Sequence, residues 1–132
     1  MAAAVLVLVS ACSKGPYRFE DLDRAVAALQ PDELGEVVSD EESGSEVELA
    51  TAPARKFEII IDADRIREAQ DFVVAHLEHS GFVRSGPTAE FWNWAEDDRL
   101  SLRTIYLEAG KTMPSGKLVP LGMVGLLLPM GY

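Results

Sequence analysis

The stretch that decides the fold is Phe57-Glu58-Ile59-Ile60-Ile61, followed by a helical pattern over residues 65–80. β-Branched and aromatic residues predict a strand at 57–61, because they suit a pleated and largely buried surface. In the predicted helix, Asp64 is the expected N-cap and Gly81 the residue that ends it. The apolar side chains recur at helical spacing, opposite a charged side: Ile66, Ala69, Phe72, Val73 and Leu77. We expect this strand–helix unit to organise the rest of the chain.

Patterns on either side of this unit predict further elements. Residues 19–30 show helical spacing, and residues 46–51 alternate as in a half-buried strand. After the main helix come a hairpin at 88–108 and a last apolar strand at 118–128. Helices and hairpins are mixed, so the predicted class is α+β. We expect a mainly antiparallel sheet of about four to five strands with the main helix on one face, plus a short N-terminal helix.

The composition describes one ordered, acidic domain. The chain has 132 residues, of which 48% are hydrophobic and 26% are charged, so it is long enough to bury a single core. Its net charge of −10 argues against nucleic acid as a partner, because phosphates would be repelled. Eight of the acids, and no Lys or Arg, fall between residues 25 and 54. The acidity is therefore mainly a property of one segment.

The centre of that segment is Ser-Asp-Glu-Glu-Ser-Gly-Ser at residues 39–45. Charge repulsion and small residues disfavour packing, so these residues are predicted to form a solvated loop. The ligand pattern of a calcium-binding loop is not met. Two interpretations stay open: a plain linker, and an acidic patch that binds a metal ion or a basic protein partner. The patch would comprise Asp40, Glu41, Glu42, Glu46 and Glu48.

The N-terminus carries a short apolar run that ends in two small residues and the single cysteine. Residues 1–9 are Met-Ala-Ala-Ala-Val-Leu-Val-Leu-Val, and Ser10-Ala11-Cys12 follows. A single cysteine excludes an intrachain disulfide. Val9-Ser10-Ala11-Cys12 resembles the lipobox of bacterial lipoproteins. The run has the length of a signal-peptide core and is too short to span a bilayer as a helix.

The resemblance implies a location and no activity. Residues 1–11 would be a signal peptide, and residues 12–18 would comprise the lipidated Cys12 and a tether to a single α+β domain at 19–132. The protein would then be held at a membrane of the bacterial envelope, on its periplasmic side or outer surface. The alternative is a cytoplasmic protein in which the apolar run is a buried strand with a core cysteine.

The predicted hairpin at 88–108 contains both tryptophans of the chain. With Asp97 and Asp98 in the turn, Trp94 pairs with Ser101. Tryptophans on an open sheet face stack on sugars or anchor a protein partner, and arginines stabilise such rings. This register predicts a binding surface of Trp92, Trp94, Arg99 and Arg103. Two alternatives stay open: a one-residue slip that exchanges the faces, and coverage of the rings by the N-terminal helix or the last strand.

The two histidines of the chain, His76 and His79, lie three residues apart on the predicted main helix. This spacing suits a metal ion, but no third histidine exists and the one cysteine belongs to the tether, so neither metal nor cofactor is predicted. His76 falls on the apolar stripe and is predicted to be packed, and a protonated His79 would favour the negative end of the helix. Nucleophile-elbow and phosphate-loop patterns are absent. No catalytic residue is therefore predicted.

Three functions fit these patterns. The leading one is a small envelope lipoprotein whose domain binds a ligand or a protein and catalyses nothing. The second is an immunity-type protein that neutralises a basic toxin through the acidic segment, since complementary charge gives fast association. The third is a hydrolase of envelope components that uses an acid near the tryptophans.

Overall fold

The structure of the protein is a computed structural model that describes residues 17–46 and 51–132. The predicted signal peptide, Cys12 and Glu48 lie outside the described residues, as does most of the strand predicted at 46–51. The elements, in chain order, are α1 (Phe19–Leu29), a short 3₁₀ helix (Pro31–Glu33), β1 (Glu36–Ser43), β2 (Ala54–Ile61), α2 (Ile66–His79), β3 (Phe82–Arg84), β4 (Phe91–Trp94), β5 (Asp97–Arg103), β6 (Ile105–Leu107) and β7 (Val124–Gly131).

The strands form one antiparallel sheet in the order β1–β2–β7–β5–β4–β3, and β6 also pairs with β7. The predicted α+β class is confirmed, with a main helix and a short N-terminal helix on an antiparallel sheet. The sheet has seven strands, which is wider than the expected four or five. The additional width comes from β1 at one edge and from the division of one long strand into β5 and β6.

A proline in β7 explains that division. β5 and β6 share one continuous register along β7, with the pairs Leu102–Met130 and Ile105–Leu127. Pro129 lies between these pairs and has no N–H to donate, so the ladder is interrupted at this point. On the opposite side, towards β4, the chain is still hydrogen-bonded at this point, because the backbone N–H of Thr104 donates to the carbonyl of Glu90 at 2.9 Å. The interruption therefore falls beside the segment that leads into β4.

The strand–helix unit that organises the chain is confirmed, with one correction at its boundary. The predicted strand lies within β2, and the helix predicted at 65–80 is observed as α2. The prediction of Asp64 as N-cap is wrong: Arg65 occupies the cap position and no side chain caps the helix. Gly81 has a φ of +92°, so it provides the left-handed conformation that was expected after the helix.

Both helices pack on one side of the sheet, which we call the helix face. Alternation along β2 turns Phe57, Ile59 and Ile61 to this side, where they are buried. The helices bury their apolar stripes against it with Leu22, Ala25 and Leu29 of α1 and Ala69, Val73 and Leu77 of α2. His76 joins the two helices, since its Nε2 donates to the Leu29 carbonyl oxygen at 2.6 Å. The prediction that His76 is a packed residue is confirmed.

The opposite side of the sheet, the far face, is covered in part by a hairpin at residues 110–119. Met113 and Val119 of this hairpin pack on Ile60, one residue away from the helix-face positions of β2. Gly125 of β7 allows the close approach, because a Cβ there would lie 2.7 Å from both Met113 Cε and Val119 Cγ2. The far face therefore has a small second core of its own.

The tip of the 110–119 hairpin is attached by a buried acid. The carboxylate of Glu58 accepts hydrogen bonds from the Ser115 backbone N–H at 3.0 Å and from the Ser115 hydroxyl at 2.5 Å. These bonds satisfy a side chain that is 9% exposed and would otherwise be costly to bury.

The prediction of a solvated loop at 39–45 is wrong, because most of it belongs to the edge strand β1. Glu41 pairs with Lys56, and Glu42 pairs with Arg55. Cross-strand pairing with two basic residues offsets the repulsion between neighbouring acids, and an edge position leaves their side chains in solvent. Local charge repulsion therefore did not decide the conformation, because a partner strand of opposite charge was present.

Candidate functional site

The proposed surface of exposed tryptophans is wrong. Trp92 and Trp94 are 1% and 2% exposed and belong to the core of the helix face. α1 lies over this region, with the Arg24 guanidinium carbon 5.4 Å from the Trp94 ring centroid. The structure thus shows the alternative interpretation, in which the N-terminal helix covers the rings. Buried rings of this kind have no face on which a sugar or a partner could stack.

The cause of this error is the register of the β4–β5 hairpin. Trp92 pairs with Leu102 and not with Arg103, which is a slip of one residue that exchanges the faces of β4. The turn residues are Ala95 and Glu96, and Asp97 already belongs to β5.

The pairing register of β4 with β5 shifts at an irregularity between Asn93 and Trp94. The Asn93 side-chain amide donates to the Asp98 carbonyl at 2.8 Å, and the Asp97 carboxylate accepts from the Arg99 backbone N–H at 3.1 Å. These bonds satisfy backbone groups that the irregular ladder leaves unpaired, so the bulge is tolerated.

The two arginines of the proposed surface lie apart from the tryptophans. Arg99 forms an ion pair with Asp97 at 2.7 Å, and its guanidinium lies over the Tyr17 ring at 4.9 Å. Arg103 lies on the far face, where it pairs with Glu90 at 2.6 Å and covers the ring of Phe91. Phe91, at 46% exposed, occupies the outward position that the tryptophans were expected to hold. Asp97, the acid beside Trp94, is held by Arg99, which gives no support to a hydrolase built there.

The proposed acidic patch is divided by the fold. Asp40 accepts two hydrogen bonds of 2.8 Å from Arg55, and these bonds raise the pKa of the Arg55 guanidinium. Glu46 accepts the Phe19 backbone N–H at 2.9 Å, at the start of α1, where a negative charge is favourable. Glu41 and Glu42 are exposed on β1. All four described members of the patch are therefore exposed, and two of them, Asp40 and Glu46, also bond to other parts of the structure.

A groove of about 560 Å³ lies between α2 and the sheet, and we call it the α2 groove. One wall is a polar and small-residue side of α2, with Gln70, Asp71, Val74, Ala75 and Glu78. The opposite wall and the floor come from the β3–β4 region and from the junction of β5 and β6, with Arg84, Thr88, Ala89, Glu90, Thr104 and Tyr106.

The floor of the α2 groove is fixed by hydrogen bonds to one carbonyl. The Ala89 carbonyl accepts from Trp92 Nε1 at 3.1 Å and from the Thr104 hydroxyl at 3.0 Å. Burial raises the pKa of Tyr106 to about 12, with a smaller opposing effect from its hydrogen bond to Thr104. Tyr106 is therefore a neutral phenol at ordinary pH, which suits it to hydrogen bonding and not to proton abstraction.

The walls of the groove carry charge of both signs. Glu78 and Arg84 approach each other at 3.8 Å across one part of it, and Arg84 lies over the Trp92 ring at 5.6 Å. Glu90 is paired with Arg103 on the far face. Asp71 has neither an ion pair nor a hydrogen-bonded side chain among residues 17–46 and 51–132. The arrangement can bind a polar ligand and orient it.

A smaller hollow of about 280 Å³ lies on the far face, beside the tip of the 110–119 hairpin. Its lining is more apolar, with Ile105, Leu127 and Pro129 near Lys56 and Glu58. The Glu58 carboxylate is already bonded to Ser115, so the hollow mainly offers apolar contact.

In the part of the chain that the structure describes, no group of three or more His, Cys, Asp or Glu side chains is placed to hold a metal ion. His79 is exposed, whereas His76 is bonded to α1. In the same residues, no helix combines the length and the apolar character that crossing a membrane requires.

Comparison of the chain with protein-family models, with curated proteins and with solved structures found no match.

The α2 groove was not predicted from the sequence. Its floor depends on the break opposite Pro129, and its walls come from residues that are distant along the chain. The one local signal is the polar and small flank of α2, Gln70, Asp71 and Ala75, which lies beside the apolar stripe. Such a flank is typical of any solvated helix, so it does not indicate a site by itself.

Proposed function

We propose that this protein is a lipid-anchored binding protein of the bacterial envelope, which holds a small ligand in the α2 groove without transforming it. The observation that carries the proposal is the groove itself. Its volume of about 560 Å³ falls within the range of about 300–1,000 Å³ typical of small-molecule sites. It also combines a neutral phenol, a hydroxyl and charged side chains, which are groups that fix the orientation of a polar ligand.

The lipid anchor rests on the lipobox-like residues that end at Cys12. A lipid at Cys12 would restrict the domain, because five residues reach at most about 18 Å to Tyr17, whatever their conformation. Tyr17 stacks on Tyr132 at 4.5 Å, at the end of the sheet where β7 finishes. Tyr106 in the groove lies five residues beyond Ser101 of the same end, or about 17 Å along the strand direction. The groove would then lie about 17 Å along the strands from the end of the sheet that is nearest to the anchor.

The anchor is tested by the Cys12→Ser variant. We expect the wild-type chain to incorporate labelled palmitate and to sediment with membranes, and the variant to lose both properties. Wild-type protein that remains soluble and takes no label would contradict the proposed anchor. Ser13→Ala, next to the cysteine, is the matched control and should leave both properties unchanged.

The groove is tested by filling it. Ala75 is an exposed residue on the α2 wall, so Ala75→Trp should occupy the groove without disturbing the core, and Glu68→Trp on α2 outside the groove is the control. A ligand found by thermal shift should stabilise the wild type and the control, because binding to the native state raises the melting temperature. Equal stabilisation of the Ala75→Trp variant would mean that the ligand binds outside the groove. Chemical conversion of the ligand by the protein would contradict the proposal that the ligand is held without being transformed.

A second candidate is the immunity-type protein, and one observation favours it. Glu41 and Glu42 are exposed on an edge strand, where a basic partner could contact them. A basic toxin encoded beside the gene should then be neutralised by the wild type at low salt. Changing both acids to Gln should abolish neutralisation, whereas Asp32→Asn with Glu33→Gln should not. Neutralisation by every variant would exclude β1 as the recognition surface.

A further inference from the structure

We infer that the ligand of the α2 groove is a small organic cation, with an ammonium group placed between Asp71 and the ring of Tyr106. This inference rests on the proposed function, since it names the chemical class of the ligand for the same groove. The groove's charges, its floor and the spacing of its acids each support this class.

The first argument is charge. The groove is lined by three carboxylates, Asp71, Glu78 and Glu90, and by one guanidinium, that of Arg84, while the Arg103 guanidinium pairs with Glu90 from the far face. Arg84 is directed toward Glu78 and the Trp92 ring, so its positive charge offsets that of Glu78 at this part of the groove. Asp71 has no partner among the described residues and lies two helical turns from Glu78, at about 10.5 Å along the axis. The Asp71 side of the groove therefore carries an exposed carboxylate that makes no ion pair with the described residues, and such a group attracts cations and repels anions.

The second argument is the floor. Tyr106 is an aromatic residue of the groove lining, and an aromatic ring attracts a cation that lies over its face within about 6 Å of its centroid. The Thr104 hydroxyl donates to Ala89 and is also hydrogen-bonded to Tyr106, so one lone pair of its oxygen is left to accept from a ligand N–H. An ammonium group has three donors and no acceptor. Carboxylate, hydroxyl oxygen and ring face together match that requirement.

The third argument distinguishes an organic cation from a metal ion. Calcium takes six to eight oxygen ligands that converge at about 2.3–2.6 Å. The acids of the groove are spread along two helical turns and across two walls, and no convergent group of them occurs in residues 17–46 and 51–132. The volume of about 560 Å³ also exceeds what a bare ion needs. An elongated or branched amine fits both the size and the spacing.

The test is a titration of the isotope-labelled full chain, followed by NMR, with spermidine as the cationic probe and its fully acetylated form as the neutral counterpart. We expect spermidine to shift the amide signals of the groove residues and the acetylated form to leave them unchanged. Asp71→Asn should weaken binding by about tenfold, because a charge-assisted hydrogen bond is lost. Glu68→Gln removes an acid from the same helix outside the groove and should have no effect.

Each contrary outcome has a distinct meaning. Equal binding of the acetylated probe in the groove would overturn the cation inference and leave the groove as a ligand site. Shifts confined to Glu41 and Glu42 of β1 would mean non-specific attraction to surface acid, which also overturns it. If neither probe shifts the groove, the inference fails. The proposed function then fails with it only if the thermal-shift screen also yields no ligand that Ala75→Trp excludes.

Discussion

The two faces of the sheet are covered differently, and the difference indicates at which residues a substitution should lower stability. The helix face lies under both helices and buries both tryptophans. Among the described residues, the far face is covered by the 110–119 hairpin, and beyond it Phe91 and Val83 are exposed at 46% and 57%. The α2 groove opens at the border of the helix face, where α2 no longer covers the sheet completely. Stability should therefore depend mainly on the helix face, and binding on its border.

The largest expected effect contrasts neighbouring aromatic residues on opposite faces. Trp92→Ala should lower the free energy of unfolding by about 3–5 kcal/mol, because it leaves a cavity in the core. Phe91→Ala should cost about 1 kcal/mol or less, since that ring is half exposed and mainly contacts Arg103. Urea unfolding of the two variants measures both values. Similar losses for both would contradict the assignment of the two faces.

A smaller effect is expected where the far face meets its hairpin. Gly125→Ala should lower the free energy of unfolding by about 1–3 kcal/mol, because the new Cβ overlaps Met113 and Val119. Gly86→Ala is the matched control, since nothing lies within 4 Å of the corresponding Cβ and its effect should be near zero. Hydrogen exchange should also show the 110–119 hairpin opening in the Gly125 variant. Unchanged exchange there would mean that the hairpin is not held by this contact.

The smallest expected effect concerns pH. Burial raises the pKa of Tyr106 from its ordinary value of 10.0 to about 12, so the unfolded chain releases this proton first as pH rises. Its contribution to stability is complete below pH 10 and is lost between pH 10 and about 12. Tyr106→Phe should therefore show a shallower fall of the urea midpoint over this interval. An identical fall in both proteins would contradict the burial of the phenol.

The elements that follow from the sequence are those with strong periodicity. The 57–61 strand and the main helix were predicted because a segment with four strand-favouring residues out of five precedes a clear helical stripe. In β5, Arg103 was also predicted on the outer side of the sheet, and it is exposed there while the neighbouring Leu100 and Leu102 are buried. Apolar and polar residues alternate strictly in this part of β5, so the sequence alone decides which side chains face the core.

The elements that escaped prediction depend on contacts between distant residues. In β4, Phe91, Trp92 and Trp94 place aromatic residues on both faces, so alternation does not decide the register, and the bulge closed by Asn93 does. For β1, the sequence shows a run of acids, whereas the deciding factor is the opposite charge of Arg55 and Lys56 on the paired strand. The α2 groove was missed because it depends on the break opposite Pro129, which is a property of the assembled sheet.

The most direct test of the difference between the two faces is the fluorescence of the native chain, which contains only two tryptophans, Trp92 and Trp94. We predict emission that is blue-shifted relative to tryptophan in water and quenching by acrylamide that is much weaker than in the unfolded chain. Phe91→Ala should leave both properties unchanged. Emission typical of water-exposed indole, with quenching as strong as in urea, would place the tryptophans outside the core and contradict the face assignment on which the α2 groove depends.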